Sequence, residues 1–202
     1  MKKVFFIFGL LLTVSLATFS QNKKRGEGVV INGVKWATRN VDAPGTFAAK
    51  PENTGMFYQW NRKKGWSAVE KEAVGWDDDG ESSATTWTKN NDPCPTGWRL
   101  PTSNEIKSLC DNNKVKSEWT SVNGVNGRSF TDKANGNTLF LPAAGNLTSY
   151  DSTHYYGGSY GYYWGSTLDG EYSYYLSFHS SNVGPDHGNS RANGFSCRCV
   201  SK

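Results

Sequence analysis

The four cysteines of the chain, Cys94, Cys110, Cys197 and Cys199, are the residues whose type and spacing most directly predict chemistry. Cysteines of exported proteins usually form disulfides, and four thiols allow three pairings. A bond between Cys197 and Cys199 is disfavoured, because residues two apart in a strand have Cα atoms about 6.6 Å apart and parallel side chains. Two pairings remain: Cys94 with Cys199 and Cys110 with Cys197, or the crossed pair.

The same cysteines allow an enzymatic interpretation. Cys197-Arg198-Cys199 places two sulfurs on one face of a strand with a cation between them, and reactive thiolates in an open site can hold a soft metal such as copper. That role would leave Cys94 and Cys110 unpaired in an oxidising compartment. Structural disulfides are therefore the favoured interpretation, and an oxidase or other enzyme is the alternative.

The histidines and the acidic residues do not strengthen the enzymatic alternative. His154, His179 and His187 have neither metal-ligand spacing nor a serine elbow motif beside them. The stretch 77–81 contains three adjacent aspartates but lacks the alternating ligands of an EF-hand, so a solvated acidic loop is favoured over a calcium site. We expect no catalytic residue, no metal and no cofactor.

Tyrosines near the C-terminal half predict a contact surface. The candidate ligand-binding residues are Tyr155, Tyr156, Tyr160 and Tyr162, which lie among glycines and serines. Tyrosine offers a flat, amphipathic face with little rotamer entropy to lose on binding. Because strands alternate, we expect Trp164 and one neighbouring tyrosine to point into the core.

The N-terminal residues predict export. A charged head, Met1-Lys2-Lys3, precedes a short apolar run, which is typical of a secretory signal peptide over 1–20. Residues 21–27 are a polar linker, and 28–202 are predicted to form one domain. The first cysteine is Cys94, so we expect no lipoprotein anchor, and the protein is predicted to be periplasmic, surface-associated or extracellular rather than membrane-spanning.

Composition and charge narrow the class of protein. The formal net charge is +4, of which the predicted signal peptide carries two lysines, so nothing indicates a nucleic-acid partner. The chain contains 22 Gly, 8 Trp and 10 Tyr, a composition that favours many short strands joined by turns.

The elements that must position these residues can be predicted from local patterns. Asn32-Gly33 favours a type I′ hairpin. Thr102 and Glu105 fit a capping box that starts a helix at Ser103, predicted to extend to about residue 112. Strands before and after this helix predict an α+β fold with long loops, of which 65–91 and 146–161 are the candidate contact surfaces.

Several motifs together resemble the Fibrobacter succinogenes major paralogous domain family. They span nearly all of the predicted mature chain: Gly33-Val34-Lys35-Trp36-Ala37-Thr38-Arg39-Asn40-Val41, Gly55-Met56-Phe57-Tyr58-Gln59-Trp60, Asp92-Pro93-Cys94-Pro95-Thr96-Gly97-Trp98-Arg99-Leu100-Pro101-Thr102, Leu141-Pro142-Ala143-Ala144-Gly145 and the ending Gly194-Phe195-Ser196-Cys197-Arg198-Cys199-Val200.

The resemblance implies an exported, surface-associated protein of a kind abundant in gut Bacteroidetes. It also implies a C-type-lectin-like fold shared with formylglycine-generating enzymes. Family members place a cysteine where Cys94 and Cys199 stand, so the resemblance favours Cys94 with Cys199, and leaves Cys110 with Cys197 as an added bridge. The implied function is a non-enzymatic recognition or adhesion domain that binds a glycan or a protein through its loops. The calcium-site triplets of true C-type lectins are absent from the sequence.

Overall fold

The computed structural model describes residues 28–68, 75–77 and 84–202. The predicted signal peptide (1–20) and linker (21–27) lie outside the described residues. Most of the acidic stretch 77–81 also lies outside them, and only Asp77 is described.

The described chain contains fifteen strands and one helix. In chain order they are β1 (Gly28–Ile31), β2 (Val34–Ala37), β3 (Phe57–Tyr58), β4 (Gly65–Trp66), β5 (Trp98–Arg99), α1 (Ser103–Leu109), β6 (Val115–Val122), β7 (Val125–Asp132), β8 (Thr138–Pro142), β9 (Asn146–Leu147), β10 (His154–Tyr155), β11 (Gly161–Asp169), β12 (Tyr172–Phe178), β13 (Val183–Asn189), β14 (Phe195–Ser196) and β15 (Val200–Ser201).

These strands form four sheets. The largest has six strands in the order β13-β12-β11-β14-β3-β4, and a four-stranded sheet has the order β1-β2-β15-β5. β6, β7 and β8 form a three-stranded antiparallel sheet, and β9 pairs with β10. β14 runs parallel to β11, through the pair Tyr163 and Ser196, so the six-stranded sheet is mixed.

The predicted α+β, C-type-lectin-like fold class is wrong. About 42% of the residues are in strands and 4% in helix. The strands predominate because aromatic and β-branched residues alternate between glycine turns over most of the chain, and the helical pattern is confined to two turns. The fold is sheet-rich, with α1 as a short connection between sheets.

Helix α1 begins where the sequence predicts and ends earlier. The Thr102 hydroxyl accepts a hydrogen bond from the Glu105 amide at 3.3 Å, and the Thr102 amide donates to Glu105 Oε2 at 2.7 Å, so both halves of the capping box are present. Arg99 holds the same carboxylate through two nitrogens, at 2.6 and 2.8 Å. The helix ends at Leu109 rather than near residue 112, with Cys110 as its C-cap.

Asparagine-glycine turns set the register of two hairpins. Asn32 and Gly33 have φ of +45° and +80° and join β1 to β2, which confirms the predicted type I′ turn. Asn123 and Gly124 have φ of +50° and +81° and join β6 to β7 in the same way. The second hairpin was not predicted.

The C-terminal segment connects the two larger sheets. Phe195 and Ser196 pair with β3 in the six-stranded sheet, whereas Val200 pairs with both Trp36 and Arg99 in the four-stranded sheet. The segment between them carries Cys197, Arg198 and Cys199 through the interior, where all three are buried. The end of the chain therefore holds together the sheets that flank the core.

One disulfide is present among the described residues, between Cys94 and Cys199, with Cα atoms 6.1 Å apart. This bond confirms one of the two predicted bridges. The predicted bridge between Cys110 and Cys197 is wrong, because both cysteines are free. The reason is their position: Cys110 packs at the end of α1 against the core cluster that contains Ile106, whereas Cys197 lies in a different cluster.

Candidate functional site

The four tyrosines predicted to bind a ligand form one continuous chain of ring contacts, here called the tyrosine ladder: Tyr155, Tyr156, Tyr160 and Tyr162. The ring centroids are 6.1 Å apart between Tyr155 and Tyr156, 5.0 Å between Tyr156 and Tyr160, and 6.0 Å between Tyr160 and Tyr162. The Tyr160 and Tyr162 rings are nearly parallel, at 4°. The structure thus brings together all four predicted residues.

The ladder runs from the core to the surface. Its inner end, Tyr162, stacks on Phe195 at 5.1 Å, and Phe195 stacks on Trp164 at 4.1 Å. Trp164 is fully buried, and its indole nitrogen donates to the Tyr58 carbonyl at 2.6 Å. Trp164 and its neighbour Tyr163 are both buried, as expected, but they point to opposite faces of β11 and pack in different core clusters, so β11 is buried on both faces. The outer end of the ladder is exposed, by 46% at Tyr155 and 55% at Tyr156.

Backbone hydrogen bonds fix the turn that carries the ladder. The Tyr156 carbonyl accepts from the amides of Ser159 and Tyr160, each at 3.0 Å. The amide of Gly158 donates to the Ala143 carbonyl at 2.7 Å, and Gly145 donates to the Tyr160 carbonyl at 2.8 Å. The outer tyrosines are therefore held on a preformed surface rather than on a free loop.

Gly145 lies where the chain passes close to the backbone that carries the ladder. A Cβ atom at Gly145 would lie 2.1 Å from the Tyr155 carbonyl oxygen, and the residue has φ of +73°. Only glycine lets the chain pass this close to the backbone under the ladder.

Tyr156 has an unusual backbone conformation for a bulky residue, with φ of +61°. Such a conformation costs on the order of 1 kcal/mol for a residue other than glycine and persists where the surrounding structure enforces it. Here the bonds from Ser159 and Tyr160 enforce it. The result is that the Tyr156 ring stands out from the turn between Tyr155 and Tyr160.

A cavity of about 380 Å³ opens beside the outer end of the ladder. It is lined by Thr148, Tyr150, Asp151, Tyr155 and Tyr156. Tyr150 is the most exposed large hydrophobic side chain of the described residues, at 91%. A hydrogen bond from the Thr148 hydroxyl, and further ones from Thr153, hold the pKa of Asp151 below its usual value. The cavity therefore combines three phenol rings with one ionised carboxylate.

Tyr150 and Asp151 were not predicted as site residues. Both residues lie in the predicted contact loop 146–161, so the sequence indicated their region but not their part in the site. Their role depends on the β9–β10 turn, which places residue 150 beside 155 and 156. That proximity follows from tertiary structure and not from spacing.

His154 and His179 make packing and hydrogen-bond contacts within the fold. The His154 Nε2 atom lies 2.7 Å from the Ala144 carbonyl oxygen, and its ring packs on Phe57. The His179 ring contacts Tyr160 at 5.1 Å. Within the described part of the chain, no group of three or more His, Cys, Asp or Glu residues is placed to hold a metal ion.

The cysteines of the last segment lie in the buried interior. Burial raises the pKa of the Cys197 thiol well above its ordinary value, and Cys199 is bonded to Cys94. Between them, the fully buried Arg198 donates from Nε to Asn40 Oδ1 at 2.9 Å and from a terminal nitrogen to the Ala37 carbonyl at 3.1 Å. Burial lowers the pKa of this guanidinium to about 10. This arrangement favours a structural role for Arg198.

The second predicted contact loop, 65–91, is described at residues 65–68, 75–77 and 84–91. Asp77 forms an ion pair with Arg62, and the Gln59 side chain donates to the Asp77 carbonyl at 2.6 Å. The Trp76 indole donates to the Ser149 carbonyl at 3.0 Å, so this loop touches the one that carries Tyr150.

The fold and the site define a sheet-rich, disulfide-bonded domain that presents exposed tyrosines on a fixed turn. Residues 114–200, less than half of the chain, match a family described as a domain of unknown function, DUF8237. The matched range extends from β6 to the first residue of β15 and so includes the whole tyrosine ladder. No curated protein and no solved structure matches the chain. No helix among the described residues is long and apolar enough to span a membrane.

Proposed function

We propose that the protein is an exported, non-enzymatic recognition or adhesion domain that binds a glycan or a protein through the loops 146–161 and 65–91. The observation that carries this proposal is the exposed outer end of the tyrosine ladder, where Tyr155 and Tyr156 stand beside Tyr150. Membership of the Fibrobacter succinogenes major paralogous domain family and a location outside the cytoplasm belong to the same proposal.

Exposed aromatic rings support a binding role. Large apolar side chains scattered singly on a surface need no explanation, but several together beside a cavity are typical of contact sites. Tyr150, Tyr155 and Tyr156 form such a group. Their rings can stack on a sugar ring or on a protein partner, and their hydroxyls can exchange hydrogen bonds with either.

The rigidity of the scaffold also supports binding. The backbone bonds of the 156–160 turn and the stacking of Tyr162 on Phe195 hold the rings before a ligand arrives. The Cys94–Cys199 bond fixes the end of the segment that contains Phe195. A preformed site loses less conformational entropy on binding.

The alternative, an oxidase that uses Cys197 and Cys199 as copper ligands, has less support. Cys199 is bonded to Cys94, and the raised pKa of Cys197 disfavours the thiolate that metal binding requires. We therefore propose one function and not two.

Glycan and peptide arrays, probed with the labelled protein, test the proposal. A double variant, Tyr155→Ala with Tyr156→Ala, should lose at least about tenfold in affinity for any ligand found, since stacked aromatic residues dominate such sites. Tyr172→Ala is the matched control, because Tyr172 is 50% exposed outside the ladder and its cavity. Absence of any ligand on both arrays, together with measured turnover of a substrate, would refute the proposed function.

A further inference from the structure

The cavity beside Tyr150 has a charge pattern that selects one kind of ligand group. Among its five lining residues, Asp151 is the only charged one, and the other four are Thr148 and the three tyrosines. A carboxylate next to phenol rings repels anions and attracts cations, both through its charge and through the negative faces of the rings.

The three rings are free to meet a ligand. Tyr150 is 91% exposed, and Tyr155 and Tyr156 are about half exposed, with ring planes inclined at 47° to each other. The Tyr155 and Tyr156 rings therefore do not form a flat stacking platform. A positively charged group in the cavity that the three rings line can contact more than one ring.

The carboxylate is held in place by the loop that carries it. Asp151 Oδ1 accepts from the Thr148 hydroxyl and from the Thr153 amide at 3.0 Å. The Thr148 amide donates to the Thr153 carbonyl at 3.1 Å, and the Ser152 amide donates to the Thr148 carbonyl at 3.2 Å, which closes the turn. These bonds also lower the pKa of Asp151, so the carboxylate is ionised at neutral pH.

The same loop is anchored to the rest of the molecule on its other side. The Ser149 amide donates to Asn193 Oδ1 at 2.7 Å, and the Ser149 carbonyl accepts from the Trp76 indole. Leu147 and Gly194 exchange two backbone hydrogen bonds, each at 2.9 Å. The position of Asp151 relative to the rings is therefore set by the fold before a ligand arrives.

We propose that this cavity binds the organic ammonium group of a ligand, with Tyr150, Tyr155 and Tyr156 around the cation and Asp151 as its counter-ion. The inference rests on the proposed binding function and specifies the chemistry that the site recognises. A cavity of about 380 Å³ is at the small end of ligand sites, which suits a head group or one residue of a larger ligand.

The test compares a cation with its neutral isostere. Choline and 3,3-dimethylbutanol have nearly the same shape, but only choline is charged, and both can be titrated into the isotopically labelled protein by NMR. We expect choline to bind about tenfold more tightly than the isostere. Glucosamine and N-acetylglucosamine form a second pair, which distinguishes an amino sugar from a quaternary ammonium as the source of the charge.

Asp151→Asn is the decisive variant. Asparagine keeps a side-chain oxygen that can accept from Thr148 and Thr153, so the turn is retained while the charge is removed. The variant should reduce the preference for choline over the isostere to what the ring faces alone provide. Tyr155→Ala should weaken the binding of both compounds, whereas Tyr172→Ala should change neither.

Two results would overturn the ammonium proposal. One is equal binding of choline and the isostere, and the other is that neither choline nor glucosamine binds at millimolar concentration. If the glycan or peptide arrays still gave a ligand that depends on Tyr155 and Tyr156, the proposed function would survive that result. If the arrays gave no ligand but choline bound more tightly than the isostere, the ammonium site would be supported and the proposed glycan or protein ligand would not.

Discussion

The Tyr162 ring stacks on the Phe195 ring, with centroids 5.1 Å apart and planes inclined at 25°. This contact joins the exposed tyrosines to the buried aromatic core, in which Phe195 lies against Trp164. Tyr162 itself is partly buried, whereas Tyr155 and Tyr156 are exposed. Stability and binding should therefore separate along the ladder.

Tyr162→Ala should reduce the free energy of unfolding by about 2 kcal/mol, because it removes a half-buried ring that packs on Phe195 and Tyr175. Tyr156→Ala should cost less than about 1 kcal/mol, since its ring is exposed. Urea denaturation followed by tryptophan fluorescence measures both. Equal losses in the two variants would contradict the proposed division of the ladder.

Gly145→Ala should destabilise the protein by about 3 kcal/mol and disturb the ladder, since the new Cβ would clash with the Tyr155 carbonyl at a positive φ. Gly136→Ala is the matched control: its φ of +74° is nearly the same, but no atom lies within 4 Å of the added Cβ. The control should lose only about 1 kcal/mol. Similar melting temperatures for the two variants would show that the close approach at Gly145 is unimportant.

The disulfide should contribute strongly to stability. Cys94→Ala should lower the free energy of unfolding by about 2 to 5 kcal/mol, because the bond closes a loop with a sequence separation of 105 residues. Cys110→Ala, which removes a free thiol at the helix C-cap, should cost less. An unchanged denaturation curve for Cys94→Ala would contradict a stabilising role for this disulfide.

The free thiols should be unreactive in the folded protein. Burial raises the pKa of Cys110 to about 12 and that of Cys197 well above its ordinary value, so little thiolate forms at pH 8.5. Iodoacetamide should label neither cysteine quickly in the native state and both after denaturation without reductant. Mass spectrometry reads the result, and an unlabelled denatured protein would indicate a second disulfide.

Stability should fall in acid partly through Glu105. Burial alone would raise the pKa of Glu105, but hydrogen bonds from Arg99 and Thr102 outweigh it and lower the pKa. A lowered pKa stabilises the fold above the ordinary value of 4.5, and this contribution is lost as the pH falls below it. Glu105→Gln should therefore make the free energy of unfolding less dependent on pH between about pH 5 and pH 3. Glu118→Gln is the control and should not have this effect, because the ion pair of Glu118 with Lys116 is exposed. Identical pH profiles of the two variants would contradict this assignment.

Local signals predicted much of the framework. The Asn32-Gly33 turn, the Thr102 and Glu105 capping box and the buried Trp164 each depend on neighbours close in sequence, and all three are present. The fold class could not be obtained in this way, because the number of strands depends on pairing. β13 illustrates this: Val183–Asn189 contains glycine and proline and has no alternation, yet it forms an edge strand on β12.

Sequence spacing also did not determine which cysteines pair or which residues complete the site. The choice between one disulfide and two depends on which core cluster each cysteine enters, and sequence spacing does not determine that for Cys110 and Cys197. The four ladder tyrosines could be predicted from the Tyr-, Ser- and Gly-rich composition of their stretch. Tyr150 and Asp151 lie in the predicted contact loop 146–161, but their place beside Tyr155 and Tyr156 could not be predicted, because the β9–β10 turn brings these residues together.

An NMR chemical-shift map, recorded while a ligand from the arrays is titrated into the labelled protein, tests the central claim most directly. The account predicts that the largest changes fall on residues 148–162, with the side chains of Tyr155 and Tyr156 among them and Tyr172 unaffected. Changes confined to other surfaces, with Tyr155 and Tyr156 unshifted at saturation, would contradict it.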